Sequence, residues 1–389
     1  MTDPDPFGFE ALTFDWLRAK PGTKWSKHGV PYAAWVADMD FPPAPVIRDA
    51  LRELAERGDL CYPNWKFFTG GTAVPALYSE RCTRRFGWTP NEARIRELDD
   101  VMQGIQIVLH FCTEPGERVV VHTPCYPPFL HAIEDHGRRV MSVPAITDPE
   151  SPTGWSFDHD ELDQRLTVDG AKVLLLCNPH NPTGHVFSAD ELTALADLAE
   201  RHDLTIVSDE IHADLVYRSS GRHRPIALFA PDRTVTITSA SKAFNLAGVR
   251  FALAHIGPED LWRQWAAMPD HLFGSTNVFG AVATEVAWRD ADDWLDGVVM
   301  QLDRNRDLVA DLLAEHLPDI RYTPPSATYL AWLDCRALGL GEDPSLTFLE
   351  RGVKLSVGPD FGVEGRGFAR LNFATSSAVL RETVAAMAG

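Results

Sequence analysis

Lys242 is one of only seven lysines against twenty-nine arginines in the chain. It closes the run Thr236-Ile237-Thr238-Ser239-Ala240-Ser241-Lys242, and Ala243-Phe244-Asn245-Leu246-Ala247-Gly248-Val249-Arg250 follows. An ammonium at the end of a buried strand is costly unless it is paired or chemically used. A lysine so placed sheds its proton at modest pH and can attack a carbonyl to give a Schiff base. On this stretch alone, a lysine that reaches from the strand end into solvent is an equal reading. Three further stretches bear on the choice. Cys177-Asn178-Pro179-His180-Asn181-Pro182-Thr183-Gly184 follows the apolar run Val173-Leu174-Leu175-Leu176 and presents two side-chain amides from a turn. Leu204-Thr205-Ile206-Val207-Ser208-Asp209-Glu210-Ile211-His212 ends in acids and an imidazole, and Arg370 stands in Phe368-Ala369-Arg370-Leu371-Asn372-Phe373. Each has a structural reading as a turn, a helix cap or an ion-pair partner, but their joint order is harder to dismiss.

These groups fall where strands should end. Apolar, β-branched runs at 118–122, 139–143, 172–177, 205–208, 234–238 and 251–256 alternate with amphipathic stretches such as 189–201. The latter opens on Ser188 with Glu191 three residues on, a capping-box signature. The alternation predicts a mainly parallel sheet with helices on both faces, whose ligands sit outside the carboxyl ends of the strands. Gln103-Gly104-Ile105 is read as the start of a helix running to about Cys112. Gly104 there either admits a ligand to the backbone and its phosphate to helix-start N–H groups, or simply packs. Tyr126 follows a strand in Thr123-Pro124-Cys125-Tyr126-Pro127-Pro128-Phe129. Val46, Ile47, Ala50, Leu51 and Leu54 fall at helical spacing, and Gly58 closes that helix. Beyond about Trp288 the pattern changes to a long helix over 293–316, short strands at 321–322 and 329–333, a helix at 346–351 and a last helix over 376–387. The first forty residues, rich in Pro, Gly and aromatics, read as an arm.

Bulk properties bound the function. A chain of 389 residues with 45% hydrophobic content supports a large domain and a smaller one. A net charge of −19 argues against a nucleic-acid groove or an anionic membrane surface, so any phosphate must be held locally. The six cysteines form no CxxC pair, the N-terminus has neither basic residues nor an apolar stretch, and no apolar run approaches membrane length. The expected setting is the reducing cytoplasm, without a metal site.

From about Trp35 to near the C-terminus, the ordered set of motifs resembles the pyridoxal 5'-phosphate (PLP) enzymes of fold type I in the aminotransferase class I and II superfamily. Trp35-Val36-Ala37-Asp38-Met39-Asp40-Phe41, Asp209-Glu210-Ile211-His212 and Ser241-Lys242-Ala243-Phe244-Asn245-Leu246-Ala247-Gly248 resemble its MalY/PatB branch of cystathionine beta-lyases. The resemblance implies an α/β PLP-dependent transferase (aspartate aminotransferase-like) fold. Residues 46–287 would form a large domain around a mainly parallel seven-stranded sheet and residues 288–389 a smaller α+β domain, with residues 1–45 as the arm and part of the small domain. It further implies that Lys242 carries the cofactor and then acts as acid and base, with Asp209 at the pyridine nitrogen. Asn181 and His212 would stand around the ring's 3-oxygen, and Tyr126 against the ring. Gly104, Ile105, Ser239, Ser241 and Arg250 would form the phosphate cup, joined by Tyr62 of a neighbouring subunit in a homodimer. Arg370, with Asn181 and Ala37, would hold the α-carboxylate of an amino-acid substrate. Cys61 before Tyr62, and Met102 and Gln103 before Gly104, depart from the commoner family residues. The implied activity is a carbon–sulfur β-lyase that cleaves S-substituted L-cysteines to thiol, pyruvate and ammonia. Transamination begins with the same proton abstraction and is the alternative. A regulatory scaffold without turnover would have no need of Lys242, Asp209, Asn181 and Arg370 together.

Overall fold

The computed structural model describes residues 5–58, 60–61, 72–151, 153–269, 272 and 276–389. Val173–Cys177 has no polar face and every residue is buried, as a central strand covered on both sides must be. Its neighbours Arg118–Thr123 and Thr205–Asp209 run parallel to it, and Thr234–Thr238 continues that parallel set. Arg139–Thr147 lies parallel beyond Arg118–Thr123, while Ala252–Ile256 runs antiparallel to Thr234–Thr238 and Ile95–Leu98 antiparallel to it in turn. These seven strands form the expected sheet. An eighth, Trp155–Phe157, extends its far edge antiparallel to Arg139–Thr147. The short edge strands, Ile-Arg-Glu-Leu and Trp-Ser-Phe, lack the long apolar runs that mark the central ones.

Helices follow their caps. Ala189–Arg201 begins at Ser188 with the capping box to Glu191, and Pro45–Arg57 ends at Gly58, whose φ of 67° suits glycine. The helix read as starting at Gln103 begins two residues earlier, Val101–Cys112, because the Asp100 side chain accepts the Gln103 N–H at 2.7 Å.

Leu330–Asp334 and Phe368–Asn372 pair antiparallel in a second, four-stranded sheet with Arg321–Tyr322 and Ser356–Val357. The long helix Asp292–His316 and the final helix Ser377–Ala388 pack beside it. The N-terminal arm is more regular than expected: Phe14–Arg18 and Thr23–Ser26 form short helices, the first capped by Thr13. Its Leu17, Trp25 and Ala33 pack against Val379 of the same chain. Among the described residues no helix is long and apolar enough to cross a membrane.

Candidate active site

The sheet's sequence order reverses between Arg118–Thr123 and Val173–Cys177, leaving a crevice beyond the carboxyl ends of the parallel strands. A cavity of about 580 Å³ opens there. Ala37, Tyr126, Asn181, Asp209, His212 and Lys242 line it, as do Ser239, Ser241, Arg250 and Arg370. Gly104 and Ile105 do not. Both are buried one turn into their helix, and a Cβ on Gly104 would come within 2.8 Å of Leu98. Packing against the sheet therefore accounts for that glycine, and the helix reaches the cavity through Val101 and Met102. Tyr62 lies outside the described residues.

Lys242 sits on the turn that leaves Thr234–Thr238. Ser239 Oγ shapes that turn, accepting the Ser241 N–H at 3.0 Å and donating to the Phe251 carbonyl at 2.6 Å. Lys242 Nζ donates to the Ala37 carbonyl at 2.8 Å and lies 3.8 Å from an oxygen of Asp38. Burial lowers its pKa; Asp38 opposes that shift, Arg370 adds to it and Asp209 opposes it again. The amine is thus held close to a state in which it can act as a nucleophile or base.

Asp209 ends the adjacent strand and accepts the Ile211 N–H at 3.0 Å. Burial pushes its pKa up to about 7, with the Ile211 N–H opposing the rise, Glu210 adding to it and Lys242 opposing it again. His212, buried beside Tyr329, is brought down to about 3 by burial and then by Lys242 and Arg370, so it is a neutral imidazole. Arg370 donates to Asn181 Oδ1 at 2.9 Å and to Ser356 Oγ and the Trp35 carbonyl at 3.0 Å each. Its guanidinium lies 4.8 Å from the centre of the Phe361 ring, and burial lowers its pKa to about 10. Tyr126 stands at the start of the helix Pro127–Asp135 that follows its strand, and burial raises its phenol above the usual range.

The segment Trp35–Phe41 has no regular structure, so its backbone must find partners elsewhere. Side chains supply them at each carbonyl. Asn372 donates to Val36 and Asp38 at 2.6 and 2.7 Å, and Ser356 donates to Trp35 at 2.6 Å. Tyr329 joins Lys242 on Ala37, at 2.7 Å. Lys20 donates to the Asp40 carbonyl at 2.6 Å. Asn245 donates to Met39 and Phe41 at 3.0 and 2.7 Å and accepts the Met39 N–H at 3.1 Å. The Asp40 side chain is buried between Lys24 Nζ at 2.9 Å and Trp25 Nε1 at 2.7 Å. Asn245, Ser356, Tyr329 and Asn372 are site residues that sequence reasoning missed. Two signals were present: Asn245 follows the lysine inside its motif, and Asn372 stands two residues after Arg370, on the same face of the strand.

At the other end of the cavity, Arg250 adopts a left-handed φ of 52° and its guanidinium contacts Asp100, the cap of the helix Val101–Cys112. Ser239, Ser241, Arg250 and the first turn of that helix thus surround a place fit for a phosphate. Nε of Arg370 and Nδ1 of His212 are buried and have no hydrogen-bond partner among the described residues. With the buried Asp209 carboxyl, these open groups fit a planar, polar-edged ring that has an anionic arm. A basic amine, a proton-sharing acid and a guanidinium fork at the mouth of an α/β switch point define a class: enzymes that work on small carboxylates through a bound cofactor. Residues 101–387 match the model of the family described as aminotransferase class I and II, and the chain belongs to that family. Within it the chain falls in the MalY/PatB branch. It is 33% identical to cystathionine beta-lyase PatB of Bacillus subtilis, covering 95% of this chain and 97% of that one. It is 32% identical to protein MalY of Escherichia coli, covering 90% and 89%. The crystal structure of a PLP-bound C-S lyase from Staphylococcus hominis superposes with a TM-score of 0.87 at 28% identity, covering 97% of this chain and 98% of that one.

Proposed function

We propose that the protein is a PLP-dependent carbon–sulfur β-lyase that converts S-substituted L-cysteines to thiol, pyruvate and ammonia. The observation that carries this reading is the convergence of Lys242, Asp209 and the Arg370–Asn181 pair on one cavity. Lys242 would hold the cofactor's aldehyde carbon, Asp209 its ring nitrogen and Tyr126 a ring face. Asn181 and His212 would meet its 3-oxygen, and Ser239, Ser241 and Arg250 its phosphate, with the backbone of the helix through Gly104 and Ile105 behind them. When bound, the cofactor supplies a carbonyl that joins a primary amine and a protonated ring that stores the electrons of a cleaved α-bond.

The chain's own groups do the rest. Arg370 offers a planar fork to the substrate α-carboxylate, and that orientation selects which α-bond is presented for cleavage. Lys242 Nζ, as the free amine, would accept the α-proton. The Ala37 carbonyl and Asp38 hold the resulting ammonium beside the reacting carbon. From there the proton is at hand for the departing sulfur, a good leaving group because a thiolate is a weak base compared with an alkoxide. Asp209, as an anion, would stand opposite the protonated ring nitrogen.

The domain division at residues 46–287 and 288–389, a homodimer completed by Tyr62 of each partner and residence in the cytoplasm belong to the same reading. Six free cysteines support a reducing compartment, and closed twofold assembly is the commonest oligomer. The test is incubation with L-cystathionine in the absence of any 2-oxo acid. Release of thiol, pyruvate and ammonia in equal amounts is expected, and Lys242→Ala should abolish it. Stoichiometric amino transfer without pyruvate would instead identify an aminotransferase.

A further inference from the structure

Asp209 and Glu210 are consecutive acids and both are buried, yet only Asp209 lines the cofactor cavity. Two residues apart in extended chain, Ser208 and Glu210 turn to one face and Asp209 to the other. Glu210 borders a separate, much smaller cavity with Tyr78, Arg81 and Phe86. A buried carboxylate is costly unless it is paired and hydrogen-bonded, so a second one directly behind the first needs a reason.

Its surroundings hold it in place. The Glu210 N–H donates to the Ile237 carbonyl at 2.9 Å, and the Glu210 carbonyl accepts from Thr238 Oγ1 at 3.1 Å and from the Ala213 N–H at 3.0 Å. Ser208 Oγ donates to one carboxyl oxygen at 2.9 Å, and His223 Nε2 lies 2.8 Å from the other. The His223 side chain is fully buried and meets the Phe86 ring edge-on at 5.1 Å. Its Nδ1 is buried without a partner among the described residues. A neutral imidazole gives Glu210 its one N–H and leaves a lone pair unpaired, whereas an imidazolium would bury an unpaired N–H as well. Two donors on a carboxylate favour its charged form. Ser208, Glu210 and His223 together therefore carry a net negative charge.

Among the described residues no arginine lies within ion-pair distance to cancel it. Arg81, which shares the small cavity, pairs with Asp214 at 3.0 Å and Asp292 at 2.7 Å, and Arg85 pairs with Asp214 at 3.0 Å. Tyr78 and Cys82 are kept neutral by burial. Arg222 and Arg224 flank His223, the first exposed and the second half-buried, and neither pairs with Glu210. On the cavity side Asp209 shares its walls with the basic groups of Lys242 and Arg370 and with His212, Tyr126 and Cys177, all three neutral. Consecutive Cα atoms are about 3.8 Å apart. The Glu210 charge thus sits beside Asp209 with only protein between them, and a like charge at such range disfavours ionisation.

We propose that Glu210, held as an anion by Ser208 and His223, is a positioning residue that acts through Asp209: its charge opposes ionisation of Asp209 and so sets the pH below which the enzyme loses its grip on the cofactor's ring nitrogen. This rests on the placement of Asp209 at that nitrogen. Burial raises the Asp209 carboxyl, the Ile211 N–H opposes that and Glu210 adds to it, which is the sign the arrangement requires.

The test titrates the apoenzyme with PLP across the Asp209 step, follows binding by tryptophan fluorescence and reads the midpoint of affinity against pH. The ligand's own titrations are common to all variants and drop out of the comparison. Glu210→Gln, which keeps the shape and loses the charge, should move the midpoint down by about one pH unit, equivalent to roughly tenfold tighter binding on the acid side. His223→Gln, which keeps an N–H donor toward Glu210, should leave the midpoint in place. If the pair only ties the loop around His223 to the strand, both variants lower the affinity at every pH and move no midpoint, and the proposal fails. A midpoint raised by His223→Gln would make His223 the cation that cancels Glu210 and would equally overturn it. Only folded protein binds, so partial unfolding of a variant does not imitate a shifted midpoint. Asp209→Asn separates the two readings. A step that survives in it removes Asp209 from the ring nitrogen and takes the proposal with it; a step that is lost there but unmoved in Glu210→Gln leaves Asp209 in place and rejects the role of Glu210 alone.

Discussion

At the scale of single residues, burial makes Asp209 the most informative group. Burial pushes its carboxyl up to about 7, Glu210 adding to the rise while the Ile211 N–H and Lys242 oppose it. It is a neutral acid below that pH and an anion above it, and only the anion can pair with a protonated ring nitrogen. Cofactor affinity should therefore fall as pH drops through 7, by roughly tenfold per unit once Asp209 is mostly protonated. Titration of the apoenzyme with PLP across pH 5.5–8.5 checks this, and Asp209→Asn should bind more weakly with the Asp209 step removed. The place of Asp209 after the strand Thr-Ile-Val-Ser was legible in the sequence, but a strand-end acid reads equally as a helix cap, and its expected role came from the family resemblance. Gly104 was legible only in part. A glycine near a helix start suits both a ligand and a close neighbour, and the side chains of Leu98 and Ile237 that decide between them come from other strands.

At the scale of elements, the central strands could be read from the sequence because each is a short run of apolar or β-branched residues. Ile95–Leu98 could not, since its Arg96 and Glu97 interrupt any period of two. The Trp35–Phe41 segment was legible as a motif but not as a structure. Apart from Lys20, Lys24 and Trp25 of the arm, the side chains that hold it come from 204 to 336 positions further along the chain, beyond the reach of any local pattern. Asn372 is the clearest case: it is buried, and it satisfies two carbonyls of the segment while accepting the Ala374 N–H at 2.8 Å. Asn372→Ala takes the Asn372 partner from the Val36 carbonyl and the Ala374 N–H and leaves the Asp38 carbonyl with Lys24 alone at 3.2 Å, and should lower stability by about 2 kcal/mol. A thermal melt should show the loss. The same variant should lower kcat, because the segment also positions the Ala37 carbonyl on Lys242; unchanged melting would show that the segment is held by its other contacts.

At the scale of the whole molecule, the inferred homodimer is open to direct measurement. Light scattering should give about twice the 43.2 kDa chain mass for the active enzyme. Activity that persists in a species of single-chain mass would remove Tyr62 of a partner from the site. Connectivity has its own consequence for how the enzyme comes into being. The Trp35–Phe41 segment leaves the ribosome early, yet its carbonyls are claimed by Lys242 and Asn245 and then by Ser356, Arg370 and Asn372. Contacts of such long sequence separation close late and slowly. Translation must therefore run almost to the final helix before the lysine's hydrogen-bond partner is in place, and a chain stopped short of the strand Phe368–Asn372 would carry every catalytic side chain of the larger sheet around an unfinished pocket.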